Sequence, residues 1–397
     1  MQLKDYQLLG KRLRPLFIGA FLQSFVLWYA IEKPFLNSIG LNKEAITLVS
    51  IIFSSSFLIA NIPLGIAADR WSRRGVLAIG SILLILGCIV ADGSHTLFTY
   101  CIAAALFGTF DASTQGTYDS VVYDTVLEET DVDDSYTHYY GRLQFIKGIG
   151  FALSSLLGGI VSRYIDIRAA YTITIPAAAI SIIFLLAFRE PRLHKKTAAL
   201  NLRIHLGQTF RTIMQKGMVA QIVGSLILAT IGVLIMSQLD QLWMLGLALP
   251  ILLYGPINAL LLAGGGISGI LSDRVNKLKN GQAIVIGAVV ASSALLLVRS
   301  LPLVVVGQVI FLAGVTILGI LLNRQLHAAA TSQVRSGVSS VVTTASTIIY
   351  LPVALLFGYV SDKHTVFRAA WIVVALTLLL ALSSILALYN QSRTKRV

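Results

Sequence analysis

An all-α membrane protein of twelve transmembrane helices, arranged as two parallel six-helix repeats, is predicted by three features of the sequence. Apolar runs of spanning length recur along its whole extent, lysine and arginine collect in alternate connections, and two local patterns return about 200 positions later.

The 397 residues have a mean hydropathy of +0.80, with 56% hydrophobic and only 12% charged side chains. A soluble chain is roughly a quarter charged, and roughly 20 apolar residues cross a bilayer as a helix. Such runs fall at 15–36, 45–68, 76–92, 96–123, 142–162, 169–188, 218–239, 249–271, 282–298, 302–323, 337–360 and 369–389. The third is short and is lengthened by tilt or loop adjustment. Twelve helices of about 21 residues use about 250 positions, which leaves no room for a soluble domain. Residues 1–14 are basic, but the apolar segment after them has full spanning length, so no cleavable signal peptide is expected. Cys88 and Cys101 lie in apolar helices and give no disulfide framework. The six histidines are scattered without metal-ligand spacing.

Orientation follows from the basic residues. With the N-terminus inside, 23 of the 31 lysines and arginines fall on the cytoplasmic side, seven fall outside, and Lys147 lies within a span. That asymmetry predicts both termini in the cytoplasm. The net charge of +13 therefore needs no nucleic-acid partner. The longest polar stretch, Arg189 to Lys216, divides the spans six and six. Its second part sets Leu202, Leu206 and Phe210 at helical spacing between basic residues, as in a helix lying on the inner leaflet. The expected domains are a six-helix bundle at 1–188, a cytoplasmic linker at 189–217 and a second bundle at 218–397.

The repeat supports that division. Gly65-Ile-Ala-Ala-Asp69-Arg70 follows the second span, and Gly269-Ile-Leu-Ser-Asp273-Arg274 follows the eighth, 204 positions later. LLGGIVSRYIDIRAAY from Leu156 likewise answers LLFGYVSDKHTVFRAAW from Leu355, after spans five and eleven. Matches at the same ordinal positions give both halves the same orientation.

The run GIAADRWSRRG at residues 65–75, its echo and the six-plus-six count resemble the major facilitator superfamily of transporters. The resemblance covers essentially the whole chain and implies alternating access by two bundles. It also implies a gating loop that latches helices on the cytoplasmic side, made by Gly65, Asp69, Arg70, Arg73 and Arg74, with Asp273 and Arg274 as a reduced second copy. Local chemistry agrees: Gly65 permits close helix approach, Asp69 can accept from a helix N-terminus or an arginine, and the arginines anchor at the inner leaflet.

Charges at membrane depth are costly and face a partner or a cavity. On the fourth span, Asp111 lies roughly 20 Å from the cytoplasmic end by helical rise, and Asp119 lies about 8 Å from it. Lys147, on the fifth, is about as deep as Asp119, so Asp119–Lys147 is an expected intramembrane pair. Asp124 at the interface is read as a solvated or capping charge within reach of Arg142. Asp111 has no basic partner at its depth and is the leading candidate to carry a coupling proton. Glu32 is the second, since it resembles the first-helix acid of drug–proton antiporters; beside Lys33 and near the interface, an exposed charge is an equal alternative. The fourth span lacks the arginine motif of proton-coupled exporters, and the fifth lacks a Gly-Pro kink before Gly158-Gly159. Both are departures from the antiporter pattern.

Amides and aromatics mark spans that line a central cavity in this fold. Gln23, Phe25, Trp28, Tyr29, Gln115 and Tyr118 in the first half, and Gln221, Tyr254, Asn258 and Tyr350 in the second, are the cavity candidates. They suit an amphiphilic organic solute better than a bare ion. No H-E-x-x-H, G-x-S-x-G, Walker A or dinucleotide fingerprint appears in a suitable context, so no enzyme is expected. The expected function is secondary transport, by proton-coupled export of a small organic or drug-like solute. The alternatives are metabolite uptake by symport or uniport, and a transport-inactive sensor. The expected partners are the bilayer of a bacterial cytoplasmic membrane, a small-molecule solute and protons. No cofactor, metal or nucleic acid is expected, and the chain is expected to work as a monomer.

Overall fold

The computed structural model describes residues 3–130, 136–191, 219–236, 239–278, 280–329 and 335–394, and among them the secondary structure is helical, without a strand. The first half comprises α1 (Leu3–Ser24), a 3₁₀ turn (Leu27–Ala30), α2 (Glu32–Ser38), α3 (Lys43–Arg70), α4 (Arg73–Asp92), α5 (Leu97–Thr114), α6 (Thr117–Thr130), α7 (Tyr136–Tyr164) and α8 (Ala169–Ala187). The second comprises α9 (Val219–Met236), α10 (Gln241–Gly246), a 3₁₀ turn (Ile251–Leu253), α11 (Tyr254–Lys277), α12 (Gly281–Leu295), α13 (Leu301–Ala329), α14 (Arg335–Lys363) and α15 (Val366–Thr394).

Among the described residues, nine helical stretches are long and apolar enough to cross a membrane. Shorter apolar helices at Ile222–Leu234, Ile251–Gly264 and Gly281–Leu295 fall on the expected seventh, eighth and ninth spans. Large apolar side chains such as Ile59, Phe98, Ile183 and Trp371 are more than half exposed, as a lipid-facing surface requires. The amphipathic stretch expected at 202–210 lies outside the described residues.

Two expected spans are not continuous helices. The first unwinds between Ser24 and Glu32 through a 3₁₀ turn. The freed Leu27 N–H donates to Thr174 Oγ1 at 3.1 Å, which satisfies a backbone group that lipid could not. A side chain at Gly158 would meet the Leu27 carbonyl at 2.1 Å, so glycine is needed for α7 to pack against that turn. The fourth span breaks at Gln115–Gly116, where Gly116 adopts φ +73°, a conformation that costs glycine little. Its second segment, α6, runs on to Thr130, beyond the expected end at 123. A short helix, α10, starts at Gln241, beyond the expected end of the seventh span.

The chain forms two compact units: Met1–Leu41 with Val49–Thr197 and Pro250–Ala259, and Asn42–Leu48 with Ala198–Leu249 and Leu260–Val397. In the first, α4 packs on α5 and α8, while α1 packs on α7 and α8. In the second, α12 packs on α13 and α15, while α9 packs on α14 and α15. Those are the same ordinal pairings, so the sequence repeat is a packing repeat. The starts of α3 and α11 depart from the simple halves. Asp362 of the second unit accepts from Asn42 Nδ2 (3.1 Å) and the Lys43 N–H (3.2 Å). In the first unit, Asn258 Nδ2 donates to Ser155 Oγ at 3.0 Å.

Candidate functional site

The turn between α3 and α4 gathers ion pairs and capping bonds at one end of the first unit. Ser72 caps α4, its hydroxyl accepting from the Gly75 N–H at 3.0 Å. Arg73 then reaches Asp69 at 3.3 Å, the Ser120 carbonyl at 3.1 Å, and Asp124 in a close ion pair. Asp124 is thus not the solvated charge expected from sequence: it is buried and held by Arg73, while Arg142 instead stands over the Phe17 ring at 5.8 Å. Helical rise places Asp124 along its own helix but says nothing of which neighbour faces it. Arg74 donates to the Leu186 and Phe188 carbonyls at 3.0 and 3.1 Å, a favourable use of a cation at the C-terminal end of α8. Arg70 is exposed, as is Gly65, where no atom lies within 4 Å of a would-be side chain. The close approach expected at Gly65 is not used in this structure. In the echo, Arg274 is exposed at the end of α11, and the Asp273 side chain lies outside the described residues.

One partner of this loop, and a second ion-pair cluster at Arg12, gave no sequence signal. Glu190 accepts from the Ser72 hydroxyl at 3.0 Å and from the N–H groups of Arg73 and, at 3.4 Å, Arg74. Arg12 binds Glu128 at 2.8 Å and also pairs with Glu129. A carboxylate on a helix N-terminus contributes about 0.5–2 kcal/mol. Glu190→Ala should therefore destabilise the purified protein by about that amount, measured as the unfolding midpoint in detergent, and an unchanged midpoint would refute the capping role.

Glu32 and Lys33 lie at the start of α2, 6% and 1% exposed. Lys33 Nζ is 2.6 Å from Glu32 Oε2 and 3.0 Å from Ser50 Oγ. Tyr100 donates its hydroxyl to Glu32 Oε1 at 3.1 Å and lies 2.9 Å from the Tyr171 hydroxyl. Since Tyr100 has one proton and gives it to the carboxylate, Tyr171 is the donor of that second bond. Trp28 stacks on Phe107 and Tyr171, with ring centroids 4.1 and 5.6 Å away. Of the two alternatives left open for Glu32, the exposed charge is excluded. The group is a sealed ion pair.

Asp111, Asp119 and Lys147 are arranged differently. Asp111 ends α5 one turn before the break, Asp119 opens α6, and Lys147 projects from α7. All three are half-buried. Lys147 interacts electrostatically with both aspartates, with Asp111 first, but neither forms a close ion pair with it. Its ammonium stands instead 5.2 Å from the Tyr118 ring centroid, at cation–π range. The buried Tyr118 hydroxyl donates to Gln23 Oε1 at 2.6 Å.

The remaining cavity candidates are placed as follows. Gln23 and Trp28 are buried within the first bundle, and Tyr29 is half-buried beside Phe151. Phe25 stacks with Phe21, and the Gln115 side chain is exposed at the break. Tyr254, Asn258 and Tyr350 are buried, and the Gln221 side chain lies outside the described residues.

Comparison with known proteins places this architecture. The family model described as Major Facilitator Superfamily matches residues 15–341. No curated protein sequence matches. Among solved structures, a mutant of the nucleoside transporter NupG is similar with a TM-score of 0.79 at 14% identity, over 95% of this chain and 99% of that one. A bacterial homolog of the human lysosomal transporter Spinster gives 0.69 at 15% identity, over 98% and 97% of the two chains. A POT family transporter in complex with a thioalcohol-conjugated peptide gives 0.67 at 15%, over 94% and 96%.

Proposed function

Since this chain belongs to the major facilitator superfamily, we propose that it is an alternating-access secondary transporter carrying a small organic solute across a bacterial cytoplasmic membrane. In the leading form it exports the solute against proton entry, with Asp111 carrying the proton. The observation behind this is an acid within a membrane-length stretch that closes no ion pair among the described residues, in a bundle where Glu32, Asp124, Glu128 and Glu129 all do. An ionisable group at such depth that is not used structurally is a functional candidate. The similar structures include a nucleoside transporter and a transporter bound to a conjugated peptide, which supports an organic solute over a bare ion.

A second reading, uptake by symport or uniport, is favoured by the Glu32–Lys33 pair. The first-span acid that would resemble an antiporter's is already neutralised by its neighbour. Labelled solutes tested in proteoliposomes with an imposed pH gradient of either sign separate the two. Outward-directed flux driven by inward proton entry supports export, the opposite sign supports symport, and flux indifferent to the gradient removes coupling altogether.

The same assay tests the gate. Asp69 is exposed, and its pair with Arg73 bridges the turn between α3 and α4, worth only about 0.2–1 kcal/mol. Asp69→Asn should therefore leave insertion and stability nearly unchanged while impairing flux severalfold. Normal flux would sink the latch.

A further inference from the structure

The first unit closes nearly all of its deep or clustered charges. Lys33 holds Glu32, Arg73 holds Asp124, and Arg12 holds two glutamates. At the break in the fourth span it does not. Asp111 and Asp119 lie on either side of Gln115–Gly116, on separate helices, and bear on one ammonium without contacting it. An ammonium has three donors, and Lys147 gives none of them to a protein acceptor among the described residues; an aromatic face is its near neighbour.

That neighbour is itself fixed. The Leu77 carbonyl can only accept, so the Gln23 amide must turn its nitrogen to it (2.8 Å) and to Ser81 Oγ (2.6 Å). Gln23 Oε1 is then left to receive the Tyr118 proton at 2.6 Å. Ser81 continues to Ser181 at 2.7 Å, and Ser181 donates to the Ala178 carbonyl at 2.6 Å. Two carbonyls at the ends thus force one direction on each proton in the chain. Four helices, α1, α4, α6 and α8, pin the Tyr118 ring beneath Lys147. The ammonium is positioned but unsatisfied, which is the condition of a preorganised recognition group.

We propose that Lys147, Asp119 and Asp111 form a recognition site for a small zwitterion bearing an amine and a carboxylate. Lys147 takes the carboxylate and the aspartates take the amine. This rests on the transporter reading above and supplies its substrate class. The charges that face Lys147 are Asp111 and Asp119, with the Tyr118 phenol as the remaining titratable group in contact. Once Asp111 holds its proton, one carboxylate and one ammonium remain, the charge complement of a zwitterion. A proton and a solute then share the low-dielectric site without leaving net charge unmatched, which fits the symport form of the transporter reading rather than the export form.

Binding to the purified full-length protein in detergent tests this without any transport step. Titration calorimetry with a panel of amino acids and dipeptides, each set against its decarboxylated amine and its deaminated acid, should find zwitterions binding at least tenfold more tightly than either single-charge analogue. Lys147→Gln and Asp119→Asn should each weaken that binding by about tenfold or more, as loss of a charge-assisted hydrogen bond implies. Tyr118→Phe, which keeps the ring but frees it from Gln23, should weaken it less. If a neutralised variant fails to fold, Lys147→Arg and Asp119→Glu keep the charge and should retain most of the binding. Equal binding of the amine alone, no binding by any panel member, or indifference to Lys147→Gln would overturn the proposal. Zwitterion binding without flux in proteoliposomes would leave this site standing and defeat the transporter reading, whereas flux of an uncharged solute would do the reverse.

Discussion

Asp111→Asn should abolish pH-gradient-driven accumulation in proteoliposomes while solute binding and exchange down the solute's own gradient continue. Asparagine matches the shape of the side chain but cannot take up and release a proton, so only the coupled step is removed. Binding should persist because asparagine stands in for protonated Asp111 and the charges of Asp119 and Lys147 remain. The expected size is complete loss of concentrative transport, with the internal level falling to the external one. Glu32→Gln is the control. Should Asp111→Asn still concentrate solute while Glu32→Gln does not, the coupling proton belongs to Glu32. Indifference to both would remove proton coupling from the mechanism.

The second large effect is on stability. Lys33→Met should lower the unfolding free energy by about 3–5 kcal/mol, because it leaves Glu32 buried without its counter-ion. At 6% and 1% exposure neither group can turn to water, and the hydroxyl of Tyr100 is a single donor against a full charge. The double variant Glu32→Gln with Lys33→Met should recover most of the loss, since both charges are gone and the surroundings are aromatic. The retained folded fraction after heating, followed by size-exclusion chromatography in detergent, gives the comparison. Additive losses in the double variant would mean that the two residues are not energetically coupled.

The helical membrane fold class and the family lay open in the sequence. Spanning length is a local property: it needs only a run of apolar residues, and most expected runs reappear within a few positions as helices. The repeat was legible because the motif near Asp69 and its echo near Asp273 retain their order, and the two units repeat their packing pairs as well. Helical rise set Asp119 and Lys147 at one level on adjoining spans and left Asp111 without a partner, whereas Lys147 bears on Asp111 first and on Asp119 second. Breaks were less visible. Gly116 could be seen as a glycine, but the unwinding after Ser24 depends on Thr174 and Gly158, each more than 100 positions away in the chain.

What only the tertiary structure decided is which charges meet. Arg73 finds Asp124 51 positions on, and Glu190 finds the start of α4 across more than 100. Lys33, which the sequence assigns to the outer side, is buried against Glu32 and Ser50 instead. The physical reason is that sequence fixes a side chain's depth along its own helix through the 1.5 Å rise, whereas its partner depends on rotation about that axis and on which helix packs alongside. In an apolar span both faces read alike, so rotation leaves little trace in the pattern. Packing sets the rotation, and with it whether a buried charge is closed, as at Glu32, or left open, as at Lys147.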